Sequence, residues 1–230
     1  MNSKVSETQA VLQQISDILL MNGGIFSSPG LYTGDMGLVL FFTRYARYTQ
    51  NDLYLDYCYE LMGKLPNKIN RGTPISYKQG LTGIGSATEY LVQNGFFEAD
   101  TDEILEDFDK QIFFTYNLPY LSINEIMDVG SYAMWRLSGN SSRKDMIRQD
   151  ILPTLEKVVQ EHSVMPIWRR QKKMPDSFIE KTFDHCLKHI SNNAFWNKGL
   201  GLQNGLAGWG ISLLTELDGD DSWLLLLPDN

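Results

Sequence analysis

The sequence predicts an all-α protein, an α/α toroid or partial toroid of about four helix pairs with glycine-rich inner-helix starts. Three observations carry the prediction: a short glycine motif recurs ahead of apolar runs, amphipathic charged segments alternate with those runs, and continuous β signals are few. Taking Gly34, Gly80, Asp128 and Gly205 as equivalent repeat starts, the steps are 46, 48 and 77 residues. The first two steps set a unit that holds two helices with their turns, and the last contains an insertion at about 141–176.

Each element has its own justification. The opening stretch places Val11, Ile15, Ile18 and Leu19 on one helix face. Gly34-Asp35-Met36-Gly37 then leads into Leu38 to Phe42, the first inner helix. Asn51 to Leu65 is an outer helix with Tyr54, Tyr57, Cys58, Leu61 and Leu65 on one side. Gly80-Leu81-Thr82-Gly83-Ile84-Gly85 opens the second inner helix, running through Ala87 to Val92. Asp100 to Phe114 is outer again: Asp100 and Glu103 have capping-box spacing, and Ile104, Leu105, Phe108, Ile112 and Phe113 form its stripe. The third motif is worn, Asp128-Val129-Gly130-Ser131-Tyr132-Ala133, and precedes Ala133 to Leu137. Helices at about Arg143 to Gln160 and Ser177 to Ile190 follow, and Gly205-Leu206-Ala207-Gly208-Trp209-Gly210 opens the last inner helix, Ile211 to Leu217. Only Ile75 to Tyr77 and Met165 to Trp168 suggest short extended pieces. Glycine mid-helix costs about 1 kcal/mol against alanine, so its recurrence at one position calls for close approach between helix starts and their neighbours, or for positive φ in the turn that feeds them.

Composition fits a single domain over residues 1–230, since 43% hydrophobic content supplies a sizeable core. No run approaches the roughly 20 apolar residues of a membrane span, and Met1 to Leu20 lacks the order of a secretory signal, which points to the cytoplasm. A net charge of −8 disfavours nucleic acid and anionic membrane as partners. The basic cluster Trp168 to Lys173 is read as a solvated loop, with a docking patch for an acidic peptide as the other reading. Cys58 and Cys186, on separate helices, do not form a disulfide framework.

Gly30-Leu31-Tyr32-Thr33-Gly34-Asp35-Met36-Gly37, followed by Leu38 to Phe42, resembles the opening repeat of lanthionine synthetase C-like proteins. The stretches Gln79 to Gly85 and Asn204 to Gly210 resemble later repeats, so the resemblance runs from about Gly30 to Leu217. It implies a bacterial α/α toroid whose glycine-rich helix starts face a central cavity, acting in the modification of ribosomally made peptides. In the family's enzymes a zinc ion, held by two cysteines and a histidine, activates a peptide cysteine for addition to a dehydrated residue. Zinc holds thiolate at neutral pH, and an acid then protonates the enolate. The family's Cys-His-Gly motif is missing here: Gly199 to Gly210 contains neither residue. Four units stand where full-length members have seven, which suggests an open arc or one closed by a partner. The expectation is therefore a short, non-zinc form with no cofactor, whose partner is a peptide substrate or a peptide-modification protein, with self-association as a further possibility.

Candidate site residues follow from the motifs. Asp35 and Asp128 head two repeats; if the starts converge, their carboxylates share a cleft as acid and base, as in a carbohydrate-active toroid enzyme, and otherwise each is a helix cap. Tyr32, Tyr77 and Trp209, beside the motifs, line a peptide or sugar groove if exposed and fill the core if not, as do Trp135 and Trp196; Asn204 stands beside the last motif as a further substrate contact. No metal site is expected; the alternative is His185, Cys186 and His189, where the histidines share a helical face and Cys58 or Asp184 would complete a set. Their other reading is the edge of an outer helix packed through Phe183, Cys186, Leu187 and Ile190. A non-catalytic interaction protein is the remaining reading of the whole chain.

Overall fold

The computed structural model describes residues 2–25, 28–115, 118–163 and 199–227. In chain order the helices are α1 (Asn2–Asn22), α2 (Asp35–Thr49), α3 (Asp52–Lys68), α4 (Leu81–Gln93), α5 (Thr101–Ile104), α6 (Glu106–Asp109), α7 (Ile123–Ser138), α8 (Lys144–Met146), α9 (Leu152–Glu161) and α10 (Leu206–Asp218). Two π-helical turns, Lys110–Thr115 and Ile147–Ile151, continue α6 and join α8 to α9. No strand forms among the described residues, and 75–77 is irregular chain leading to α4. The fold is all-α, as the patterning requires.

The helices belong to two units, one of residues 1–71 with 173–222 and one of residues 72–172 with 223–230. In the first, α2 and α3 form a helical hairpin, and α10 packs on both α2 and α1. The repeat headed by Gly205 therefore lies directly against the repeat headed by Gly34. The inner character of α2 is visible in its burial: every residue from Asp35 to Ala46 is out of solvent. On α3 only Tyr54, Cys58, Leu61 and Leu65 are buried, the one-sided pattern of an outer helix. Phe42 stacks on Tyr54 at 5.9 Å and meets Tyr57 edge-on at 5.0 Å. Asn51 caps α3 by accepting from the Leu53 N–H. Arg44, its side chain 1% exposed, ties α2 to the end of α10 through Asp218 at 3.1 Å and the Asp220 carbonyl at 2.7 Å.

In the second unit α4 packs on α7, and α7 on α9. Helix α4 is buried from Leu81 through Leu91. The predicted outer helix at Asp100 to Phe114 exists in three pieces. Asp100 caps it by accepting from Asp102 N–H at 2.9 Å, Leu105 breaks the first turn from the second, and the π turn follows. Leu105, Ile112 and Phe113 are buried, whereas Ile104 is 47% exposed. A complete capping box forms instead at Ser122 and Glu125, which starts α7 at Ile123. The third repeat start near 128 thus lies inside a helix that begins upstream of it. The segment Ser177 to Ile190, and with it the extended piece at Met165 to Trp168, the basic cluster and Trp196, fall outside the described residues.

Candidate functional site

Three helix starts share one construction. Gly34, Gly80 and Gly205 are the N-caps of α2, α4 and α10, with φ of −135°, −130° and −121°. The first N–H of each helix donates to a carbonyl at the same step upstream: Asp35 to Ser28 at 3.1 Å, Leu81 to Pro74 at 2.9 Å, and Leu206 to Gly199 at 2.9 Å. The feeding loop thus folds over the helix end and satisfies donors that an α-helix leaves orphaned. Any L-residue adopts these φ values, so positive φ is not the reason for glycine. Space is: a Cβ on Gly34 would overlap the Ser28 carbonyl, one on Gly80 that of Pro74, and one on Gly205 those of Gly201 and Gly199. Further along, Gly85 makes room for the ring of Tyr132 on α7, and Gly210 for the ring of Phe41 on α2.

The loops that feed α2 and α10 meet. The Tyr32 carbonyl accepts from Leu202 N–H at 2.7 Å and Gln203 N–H at 3.0 Å. Asn204 follows these two donors in the chain and Trp209 stands near the start of α10; Tyr32 is 5% exposed, Trp209 half-buried and Asn204 exposed. Asn204 has φ of +55°, in the left-handed region that asparagine tolerates better than most residues. Tyr77 belongs to the other unit and is 1% exposed, a core ring.

Asp35 is the first residue of α2, and its side chain is 1% exposed. Its Oδ2 accepts from Lys68 Nζ on α3 at 2.5 Å, while Oδ1 has no donor. Burial raises its pKa and the Lys68 ammonium pulls it down, with a net upward shift. Asp128 lies in the other unit, half-buried in α7, where Oδ2 accepts from the Tyr77 N–H at 3.0 Å. Neither carboxylate caps its helix through its side chain. Glu125, near Asp128 in sequence, is spent on the capping box.

Sequence reasoning missed a buried ion cluster in the second unit. The Arg136 guanidinium, fully buried, donates to Glu89, to Asp102 at 2.5 Å and to Asp109 at 2.8 Å. Arg143 reaches Asp109 at 3.1 Å, and the Tyr132 hydroxyl donates to Asp109 at 2.7 Å. Burial pushes Asp102 up, but hydrogen bonds from Ser142, Ser141 and Arg136 outweigh it and hold the carboxyl well below the usual range. Beside this cluster opens a cleft of about 700 Å³ lined by Glu89, Gln93, Thr101, Asp102, Ser138 and Gly139, among others. The signal was present: Arg136 follows Tyr132 by one helical turn, and Glu89 interrupts the apolar run Ala87 to Val92.

The zinc chemistry of the resembled family requires a set of thiolate and imidazole donors. Among the described residues no group of three or more histidine, cysteine or acidic side chains is arranged to hold a metal. Cys58 is buried in α3 against the Val39 carbonyl, and burial pushes its thiol up, the opposite of a ligand thiolate. The described residues do not fit a zinc centre; His185, Cys186 and His189 lie outside them.

Residues 26–127 match the family model described as Lanthionine synthetase C-like protein. The matched stretch contains two of the three identically built helix starts, those of α2 and α4. Neither the curated proteins nor the solved structures give a match.

Proposed function

From a segment similar to lanthionine synthetase C-like proteins at residues 26–127, we propose that this chain binds a ribosomally made peptide and assists its modification without a zinc centre. The observation that carries the reading is the shared construction of the starts of α2, α4 and α10, which extends the matched pattern to Leu206–Asp218. The junction of the first and last feeding loops supports a binding surface there, with Asn204 exposed and Trp209 half-buried. A stacking ring beside a backbone in tight turns suits an extended peptide, whose amides need partners and whose side chains need apolar contact. The cytoplasm is where we place the protein, consistent with the lack, among the described residues, of a helix long and apolar enough to cross a membrane.

The test is titration of a dehydrated precursor peptide carrying both a dehydroalanine and a free cysteine, followed by amide NMR, with and without added zinc. Binding that perturbs 199–210 and 28–35, with no loss of the free thiol, is the expected outcome. No binding overturns the peptide reading. Zinc at one per chain with zinc-dependent loss of the thiol overturns the non-zinc part.

A further inference from the structure

Three Asn-Gly pairs occur in the chain, Asn22-Gly23, Asn94-Gly95 and Asn204-Gly205. Such a pair is the most reactive setting for an asparagine, because glycine has no Cβ to hinder the approach of its backbone nitrogen to the side-chain amide carbon before it. Two of the three belong to the same tripeptide, Gln93-Asn94-Gly95 and Gln203-Asn204-Gly205, so only the fold can separate them.

The fold treats them differently. The Asn22 carboxamide, at the end of α1, donates to the Ile18 carbonyl at 2.8 Å. At Asn94 both reacting groups are engaged: the carboxamide donates to the Tyr90 carbonyl at 2.8 Å, and the Gly95 N–H to the Val92 carbonyl at 3.0 Å. Asn204 is exposed, in irregular chain just ahead of α10. Among the described residues, neither its carboxamide nor the Gly205 N–H has a hydrogen-bond partner.

We infer that Asn204 is a site of self-modification, at which the Gly205 backbone nitrogen attacks the Asn204 side-chain carbonyl carbon. The new carbon–nitrogen bond closes a cyclic imide; the side-chain carbon–nitrogen bond breaks, and its amide takes up the Gly205 proton and leaves as ammonia. Water then opens the imide at either carbonyl, giving aspartate, or isoaspartate with the main chain running through the former side chain. Both products place a carboxylate one residue ahead of Gly205, the N-cap of α10, where the helix dipole favours negative charge. Aspartate tolerates the left-handed φ of +55° at this position as asparagine does. The iso form inserts a methylene into the backbone directly after Gln203, whose N–H the Tyr32 carbonyl holds, and so loosens that contact. The site lies in the loop given the binding role above, but this chemistry does not depend on that role.

The test is ageing of the full chain in mildly alkaline buffer, with timed samples digested and each Asn-Gly peptide followed by mass spectrometry for replacement of the amide nitrogen by oxygen. Asn204 is expected to convert at least about fivefold faster than Asn94, where two hydrogen bonds must open first. In urea the two identical tripeptides should converge. Equal rates in the folded protein, or a difference that survives in urea, overturn the assignment. Protein bearing isoaspartate at 204, identified by electron-transfer fragmentation, is expected to exchange its Leu202 and Gln203 amide hydrogens faster than fresh protein, and unchanged exchange overturns the loosening of the loop.

Discussion

Arg136 meets three carboxylates inside its unit, with Arg143 as a second, partly exposed cation on Asp109. Removing one partner of such a buried set leaves uncompensated charge and costs about 3–5 kcal/mol. Arg136→Met is therefore expected to lower the stability measured by urea unfolding by about that amount. Two acids should impose opposite pH slopes. Asp102, held below the usual carboxylate range, stabilises the fold above that range, and the contribution is lost as pH falls through its folded value. Asp35, raised in the fold, binds its proton more tightly than the unfolded chain does, so its contribution is present at low pH and is lost as pH rises through the folded value. Unfolding midpoints followed across the acid range should show a falling component that Asp35→Asn removes. Neither behaviour was legible from spacing. The repeat pattern placed Asp35 correctly at a helix start, but which residue of α3 would answer it depends on how the α2–α3 hairpin packs. Arg136 and Glu89 were read as part of apolar runs because a period finds faces, not partners.

At the scale of the element, the inner and outer helices were readable because burial follows period. Four apolar runs became α2, α4, α7 and α10, and the stripe on α3 came out as Tyr54, Cys58, Leu61 and Leu65. The reason for the glycines was half readable. Close approach was right, and its object turned out to be the carbonyls of each helix's own feeding loop. This distinction predicts opposite outcomes for two glycine-to-alanine substitutions. Gly80→Ala forces a methyl onto the Pro74 carbonyl and should cost about 1–3 kcal/mol. Gly63→Ala, in an exposed turn of α3 with nothing within 4 Å of the new methyl, should add about 0.4–1 kcal/mol. Denaturant midpoints of the two variants, measured side by side, check both. The worn third repeat misled for a local reason: the capping box at Ser122 and Glu125 starts α7 early, so Asp128 sits within the helix.

At the scale of the whole molecule, the first unit is assembled from two segments far apart in the chain, residues 1–71 and 173–222. Arg44 holds α2 to α10 through Asp218 and Asp220. Arg44→Ala is expected to raise amide hydrogen exchange in α2 and α10 together, with α4 and α7 of the other unit keeping their rates; exchange confined to one of the first two helices would contradict that coupling. The packing of the Gly205 repeat on the Gly34 repeat was not visible in the sequence, because a period finds faces and not neighbours.

That pairing sets a schedule for making the protein. Arg44 and Thr215 touch across 171 positions of chain, so the face of α2 destined for α10 is translated long before its cover. At about 5–20 residues per second, Phe41 and its neighbours wait on the order of ten seconds or more, an apolar surface on a nascent chain. The ribosome-bound intermediate is the form of this protein in which a chaperone has the most to hold.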